Sequence, residues 1–325
     1  MKRTLALLFV LAAGCAWGGE RLIAKLSDPA GDDVGDGTLV YSAKADFPAG
    51  SFDLRSIEIS RDQDGFWFVA TFGDFIREMW WTPGGAKGGP AQERNHRLRF
   101  GLNLDLYIDS DRKYDSGQLF TLPGRKMRID RRYAWERAVI LSPQPRTARE
   151  QLLAKLKANI PGRPPGEAEA AIDKAIYFPV KRSVFDRSIR FFVPKEFIGD
   201  SDGEDWALTA FVTMAAPIED DDNLGVRQPQ QEATPDAPAY GSRDGPPSPV
   251  IDVLLASADL QYKLLASNRA LVGSSWGPNA IEESELDESV ETLATRLQEL
   301  KDLFGHGLID EAEYRAQRAR ILADI

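Results

Sequence analysis

The chain has 325 residues, with 50 acidic against 40 basic side chains and a formal net charge of −10. That sign excludes nucleic acid or anionic lipid held by bulk charge, while the length is ample for a sizeable core. Cys15 is the only cysteine, so no internal disulfide can form. The opening "MKRTLALLFVLAAGCAWGGE" carries Lys2 and Arg3, then a short apolar run over 5–13, then small residues. This is the order of an export signal, too short to span a bilayer as a helix, and it predicts a signal peptide over 1–18. Two cut sites fit. "LAAGC" resembles a lipobox that would make Cys15 a lipidated N-terminus, and "AWG" allows ordinary cleavage after Gly18.

"SDPAGDDVGDG" (27–37) comes next and packs aspartates among glycines. Asp28, Asp32 and Asp33 are candidate calcium ligands, because calcium takes six to eight oxygens and glycines let carbonyls turn inward. Asp109 and Asp111 of "YIDSDRKYDSG" are candidates to complete the site. The alternative is a solvated turn, since Asp and Gly are the commonest turn residues.

Strand patterns dominate to about residue 265. "GFWFVATFG", "RLRFGLNLDLYI", "RAVIL", "SIRFFV", "WALTAFVTM" and "VIDVLL" are the clearest. In 97–108 the alternation predicts Leu98, Phe100, Leu102, Leu104 and Leu106 facing a core, with Arg97, Arg99, Asn103 and Asp105 facing water. Trp67, Trp135 and Trp206 are expected in the core. Many strands with few helices predict a mainly β fold, an antiparallel β-sandwich over 21–266. A helical hairpin interrupts it at 146–176, and a loop rich in Pro, Gly and Asp at 218–249. Residues 267–289 form an acidic linker. The tail, 293–325, is helical, with stripes Leu293, Leu297, Leu300, Phe304 and then Tyr314, Arg318, Ile321 around "GHG". Two such short helices need a partner to cover their apolar stripes, either the sandwich or another copy of the chain, and self-association is the expectation.

No Ser–His or Cys–His triad is supported, and acidic residues in loops give no signal for or against a carboxylate pair that hydrolyses glycosides. His96 and His306 are the only histidines, and neither neighbours a Ser or Cys nucleophile motif. Haem would need an axial pair such as His96 with Met79, Met127 or Met214, without a C-x-x-C-H attachment. The expectation is a non-enzyme. For sugar stacking, "EMWWTPGG" offers Trp80 and Trp81, neighbours on a strand that point to opposite faces, and Tyr114 is a further candidate.

Several phrases carry a family resemblance: "DPAGDDVGDG", "FDLRSIEIS", "LDLYIDSD", "LPGRKMRIDRRYAWERAV", "IRFFVPKEFIG" and "SPVIDVLLASADLQYKLL". Together they resemble the C-terminal module of glucodextranase, among the β-sandwiches similar to DOMON domains and family-nine carbohydrate-binding modules. The tail resembles a SHOCT helical pair. The resemblance implies an exported binding module for a glycan or cell-envelope component, multimerised by its tail, and family-nine modules imply a structural calcium. The other class left open is an envelope scaffold with no sugar ligand. Glucodextranase's hydrolase domain is not matched, and the helical insert is extra.

Overall fold

A computed structural model of the chain describes residues 19–41, 47–81, 96–159, 164, 166–199, 201–218, 223–229, 240–241, 248–267 and 269–277, together with residues 301, 304, 311, 314, 315 and 318. The leader with Cys15, His306 and most of the 218–249 loop, the linker and the tail lie outside them.

Two sheets face each other. The first has five antiparallel strands in the order Arg21–Ser27, Leu54–Arg61, Gly65–Phe72, Ser188–Pro194, Arg182–Phe185. The second runs Val250–Val253, Ala207–Met214, Leu102–Asp109, Arg137–Leu141, Ile176–Tyr177; the last pair is parallel, and Ser274–Ser275 also pairs with Ala207–Met214. In the first sheet the sequence alternates as one-sided burial demands. Phe66, Phe68, Ala70, Phe72, Ile189, Phe191 and Val193 point inward against Leu104, Leu106, Ile108, Leu208, Ala210 and Val212 of the second.

The second sheet is buried on both faces, and this corrects one expectation. Leu102, Leu104 and Leu106 face the inter-sheet core, but Asn103 and Asp105 do not face water. A second apolar layer covers them: Tyr107, Ile140 and Phe211 pack under Ala148, Leu152 and Ile172 of helices Pro145–Asn159 and Glu167–Ala175, and under Met127, Ile129, Trp135 and Leu264. The inserted helical hairpin is therefore a lid on the outer face. Helix Ala258–Ala266, in a stretch expected to be strand-dominated, belongs to the same layer. Ser257 caps it and Leu260, Leu264 and Leu265 are buried. The expected strand over 97–108 is split: His96–Leu98 pairs with Met79–Trp81 as a separate ribbon, and the chain turns before Leu102.

The polar residues under the lid pair with one another. Arg125, fully buried, binds Asp105 through Nε at 2.7 Å and Nη2 at 3.1 Å. Its Nη1 donates to the carbonyls of Pro123 and Leu224. The Tyr107 hydroxyl donates to Asp105 and accepts from the Leu122 N–H.

Trp135 and Trp206 are core residues, as expected, and so are Met127 and Met214. Trp67 is not. It sits half-exposed on the outer face of the first sheet beside Phe192, with the Arg190 guanidinium 3.5 Å and the Lys181 ammonium 4.5 Å from its ring centre. Its position in Gly65–Phe72 is out of phase with Phe66 and Phe68, so the period of two turns it outward.

Candidate functional site

The aspartate loop closes one edge of the sandwich. Arg21–Ser27 is the edge strand of the first sheet and Val250–Val253 that of the second, and residues 28–37 run between them. Gly31, Gly35 and Gly37 all adopt positive φ, as the glycine spacing predicts. The loop's inner carbonyls are already engaged. The buried Gln261 donates to the carbonyls of Asp32 and Gly35 and accepts from the Val253 N–H.

Four buried carboxylates meet here: Asp28, Asp32, Asp53 and Asp252. Three are anchored through one oxygen. Asp28 Oδ1 accepts from the Leu255 N–H, and Asp252 Oδ2 from the Leu54 N–H. Asp53 Oδ2 accepts from the Gly31 N–H and from Arg55. The remaining oxygens, Asp28 Oδ2, both of Asp32, Asp53 Oδ1 and Asp252 Oδ1, are buried without a hydrogen-bond partner. Asp28, Asp32 and Asp252 each bring an oxygen within 4.8 Å of the others. Burial, with Asp32 adding to it, pushes the Asp28 carboxyl up to about 9. Burial pushes Asp32 up to about 6. Asp252 is raised well above the usual carboxylate range by burial and then by Asp28. Convergent unpartnered carboxylate oxygens in a dry site fit the donor set of a hard cation such as calcium, with water completing the shell.

The other candidate ligands lie elsewhere. Asp33 is adjacent in sequence but turns away: its carboxylate accepts from the Gly50 N–H and the Tyr41 hydroxyl, and so holds the 48–52 turn. Asp109 and Asp111 belong to a second group with Glu136. Asp109 pairs with Ala207, whereas Asp252 pairs with Val212 of the same strand. Five residues of strand offset them by about 16 Å along that strand, and they lie on its opposite sides, too far to share an ion. The second group is also satisfied internally. Arg112 engages Asp109, Lys113 and Ser116 engage Asp111, and Ser110 engages Glu136.

Of the sugar-stacking candidates, Tyr114 is 60% exposed on the 110–117 turn. Trp80 and Trp81 lie on the Met79–Trp81 strand, opposite Arg97 and His96. The structure does not bring Tyr114 into this ribbon's pairing. His96 is thus in register with Trp81, and Met127 and Met214 lie in the core.

The family of the glucodextranase C-terminal binding module, described as SLH-like, matches residues 23–273, nearly all of the sandwich with its lid. The chain belongs to this family. No curated protein matches it. The glucodextranase-type module is a binding module and not a catalytic domain, in keeping with the absence of a nucleophile pattern. No helix among the described residues is long and apolar enough to cross a membrane.

Two members of the buried acid group escaped the sequence reading. Asp252 interrupts an otherwise apolar "VIDVLL", and Asp53 precedes a strand. An aspartate inside an apolar strand was the available signal, because such a residue needs a partner.

Proposed function

We propose that this glucodextranase-type module is an exported, non-catalytic sandwich, DOMON-like in kind, that recognises a glycan or another cell-envelope polymer. Calcium held by Asp28, Asp32 and Asp252 acts as a structural ion at the sheet edge. The match of a binding-module family across nearly all of the sandwich carries this reading. One of Trp80 and Trp81, neighbours that point to opposite faces of a ribbon outside both main sheets, is its sugar contact. Trp67 is a poorer platform because two cations lie over its ring.

The test is retardation of the full chain in native gels carrying soluble polysaccharides. Of the single variants Trp80→Ala and Trp81→Ala, one should bind about tenfold more weakly or worse while the other binds as the parent does. A second reading, an envelope scaffold, is favoured by one observation: the edge strand Arg182–Phe185 leaves Val184 and Phe185 exposed beside Val180. Retardation by no polysaccharide, together with capture of an envelope protein that charged substitutions at Val184 and Phe185 abolish, would replace the glycan reading with this one.

The leader and the tail complete the proposal. The SHOCT-like tail self-associates: Phe304 and Tyr314 stack 4.8 Å apart across "GHG", yet Phe304 stays 40% exposed. Light scattering of the mature chain should give a multiple of the mass per chain found for a version ending at residue 289. Mass spectrometry of the same sample should show a start at a lipid-modified Cys15 or at Gly19. Equal, monomeric masses would exclude self-association, and an intact Met1 would exclude export.

A further inference from the structure

Opposite in sign to the rest of this acidic chain is a cleft of about 380 Å³ lined by Arg99, Arg146 and Arg182 with Gln144, Pro145, Thr147 and Val180. No carboxylate among the described residues lines it. The three arginines come from three segments: the turn after the His96–Leu98 ribbon, the first turn of helix Pro145–Asn159, and the start of strand Arg182–Phe185. Arg99 and Arg146 are exposed and make no ion pair among the described residues. Arg182 is half-buried and held in place. Its Nη1 donates to the Pro179 carbonyl, its Nη2 to that of Pro143, and its guanidinium lies over Phe100. Its buried Nε has no acceptor among the described residues. Burial and then the Arg99 charge lower the Arg182 pKa, so the two guanidinium groups sit close enough to repel.

The helix adds donors to this cation cluster. Its first turn holds no acidic residue. Gln144, just before it, does not cap it with its side chain, because its Oε1 accepts from the Ile218 N–H while its Nε2 donates to the Ala216 carbonyl. The first intrahelical bond runs from the Ala148 N–H to the Gln144 carbonyl, so the N–H groups of Arg146 and Thr147 stand ahead of it. Guanidinium forks together with free helix N–H groups are the donor set for a planar or tetrahedral oxyanion. A second cleft of about 470 Å³ continues past Arg99 and Arg182 to Ile76, Val184 and Glu78. It carries mixed charge, and only the first is purely cationic. The strand Met79–Trp81 begins directly after Glu78, which puts the cationic cleft next to the ribbon bearing Trp80 and Trp81.

We propose that the arginine cleft binds a carboxylate or phosphate group carried by the glycan this module recognises, an inference that rests on the glycan reading above. Arg182 is the preset anchor, while Arg99 and Arg146 close on the oxyanion from solvent. The preference is then for an anionic polysaccharide over a neutral one.

Isothermal titration of the full chain with a neutral glucan, polygalacturonate and polyglycerol phosphate tests this at low and high salt. At least one polyanion should bind more tightly than the glucan and lose affinity with salt. Arg99→Gln with Arg146→Gln should weaken that polyanion about tenfold or more, leaving glucan binding and the melting point unchanged, since both side chains are exposed. The better polyanion assigns carboxylate or phosphate. Equal polyanion affinity in parent and variant overturns the cleft assignment. Glucan binding with no gain for either polyanion overturns it too, while leaving the module reading intact. Binding of no polymer sinks both.

Discussion

Replacing Arg125 with Met should cost about 3–5 kcal/mol of folding stability, because it leaves Asp105 charged in a dry layer. Arg125 and Asp105 are both fully buried and meet in a two-pronged contact. Among the described residues only the Tyr107 hydroxyl would still donate to that carboxylate. The loss is a large share of the 5–15 kcal/mol by which domains are stable, and in a domain of this size it lowers the melting point by roughly 6–20 °C. The second variant separates the pair's geometry from its charge. Arg125→Met with Asp105→Leu removes both ions and should recover most of the loss, since buried pairs replaced by apolar groups are often neutral. Urea unfolding of the two variants measures this. A single variant within about 1 kcal/mol of the parent, or a double variant no better than the single, would refute the account.

Calcium should raise the melting point of the full chain by roughly 5–10 °C at pH 8 and by much less at pH 5. The ion binds the folded site only, and a hundredfold excess over its Kd is worth about 2.7 kcal/mol. The pH dependence follows from the carboxyls. Asp28 is raised to about 9 and Asp32 to about 6 in the folded state. Their unfolded values lie near 4. The folded state therefore holds more protons than the unfolded one between about pH 4 and pH 9. With a chelator present, stability should be greatest at the acid end and should fall as pH rises through that window. Calcium competes with those protons, so its effect grows as they leave. Asp32→Asn separates an ion site from a structural turn. It should abolish the calcium response, yet raise the melting point in chelator at pH 8 by removing a buried charge. A midpoint unmoved by millimolar calcium at pH 8 would leave the aspartates as turn and staple residues that hold no ion, with Asp28 protonated and Asp32 charged.

The amino-acid sequence alone determined the mainly β character, because alternation in stretches such as "GFWFVATFG" reports one-sided burial directly. It also determined the helical insert and the positive-φ glycines of the aspartate loop, both set by local backbone preference. Family membership was legible in the same way, through several short phrases. Tertiary structure decided everything that depends on what lies across a sheet face. Asn103 and Asp105 read as solvent-facing because their strand alternates, and a lid remote in sequence reverses that. Trp67 and Trp206 both lie in strand-like runs; the period of two turns Trp67 outward, but only the packing set it against Arg190 and put Trp206 in the core. The acid site shows the limit most sharply. Spacing grouped Asp33 with Asp28 and Asp32, since neighbours in sequence are neighbours in a loop. The chain fold instead brings Asp252, more than two hundred residues away, to complete the set, because the edge strands of two sheets meet there. Local preference is written residue by residue; the meeting of distant carboxylates is a property of the closed sandwich.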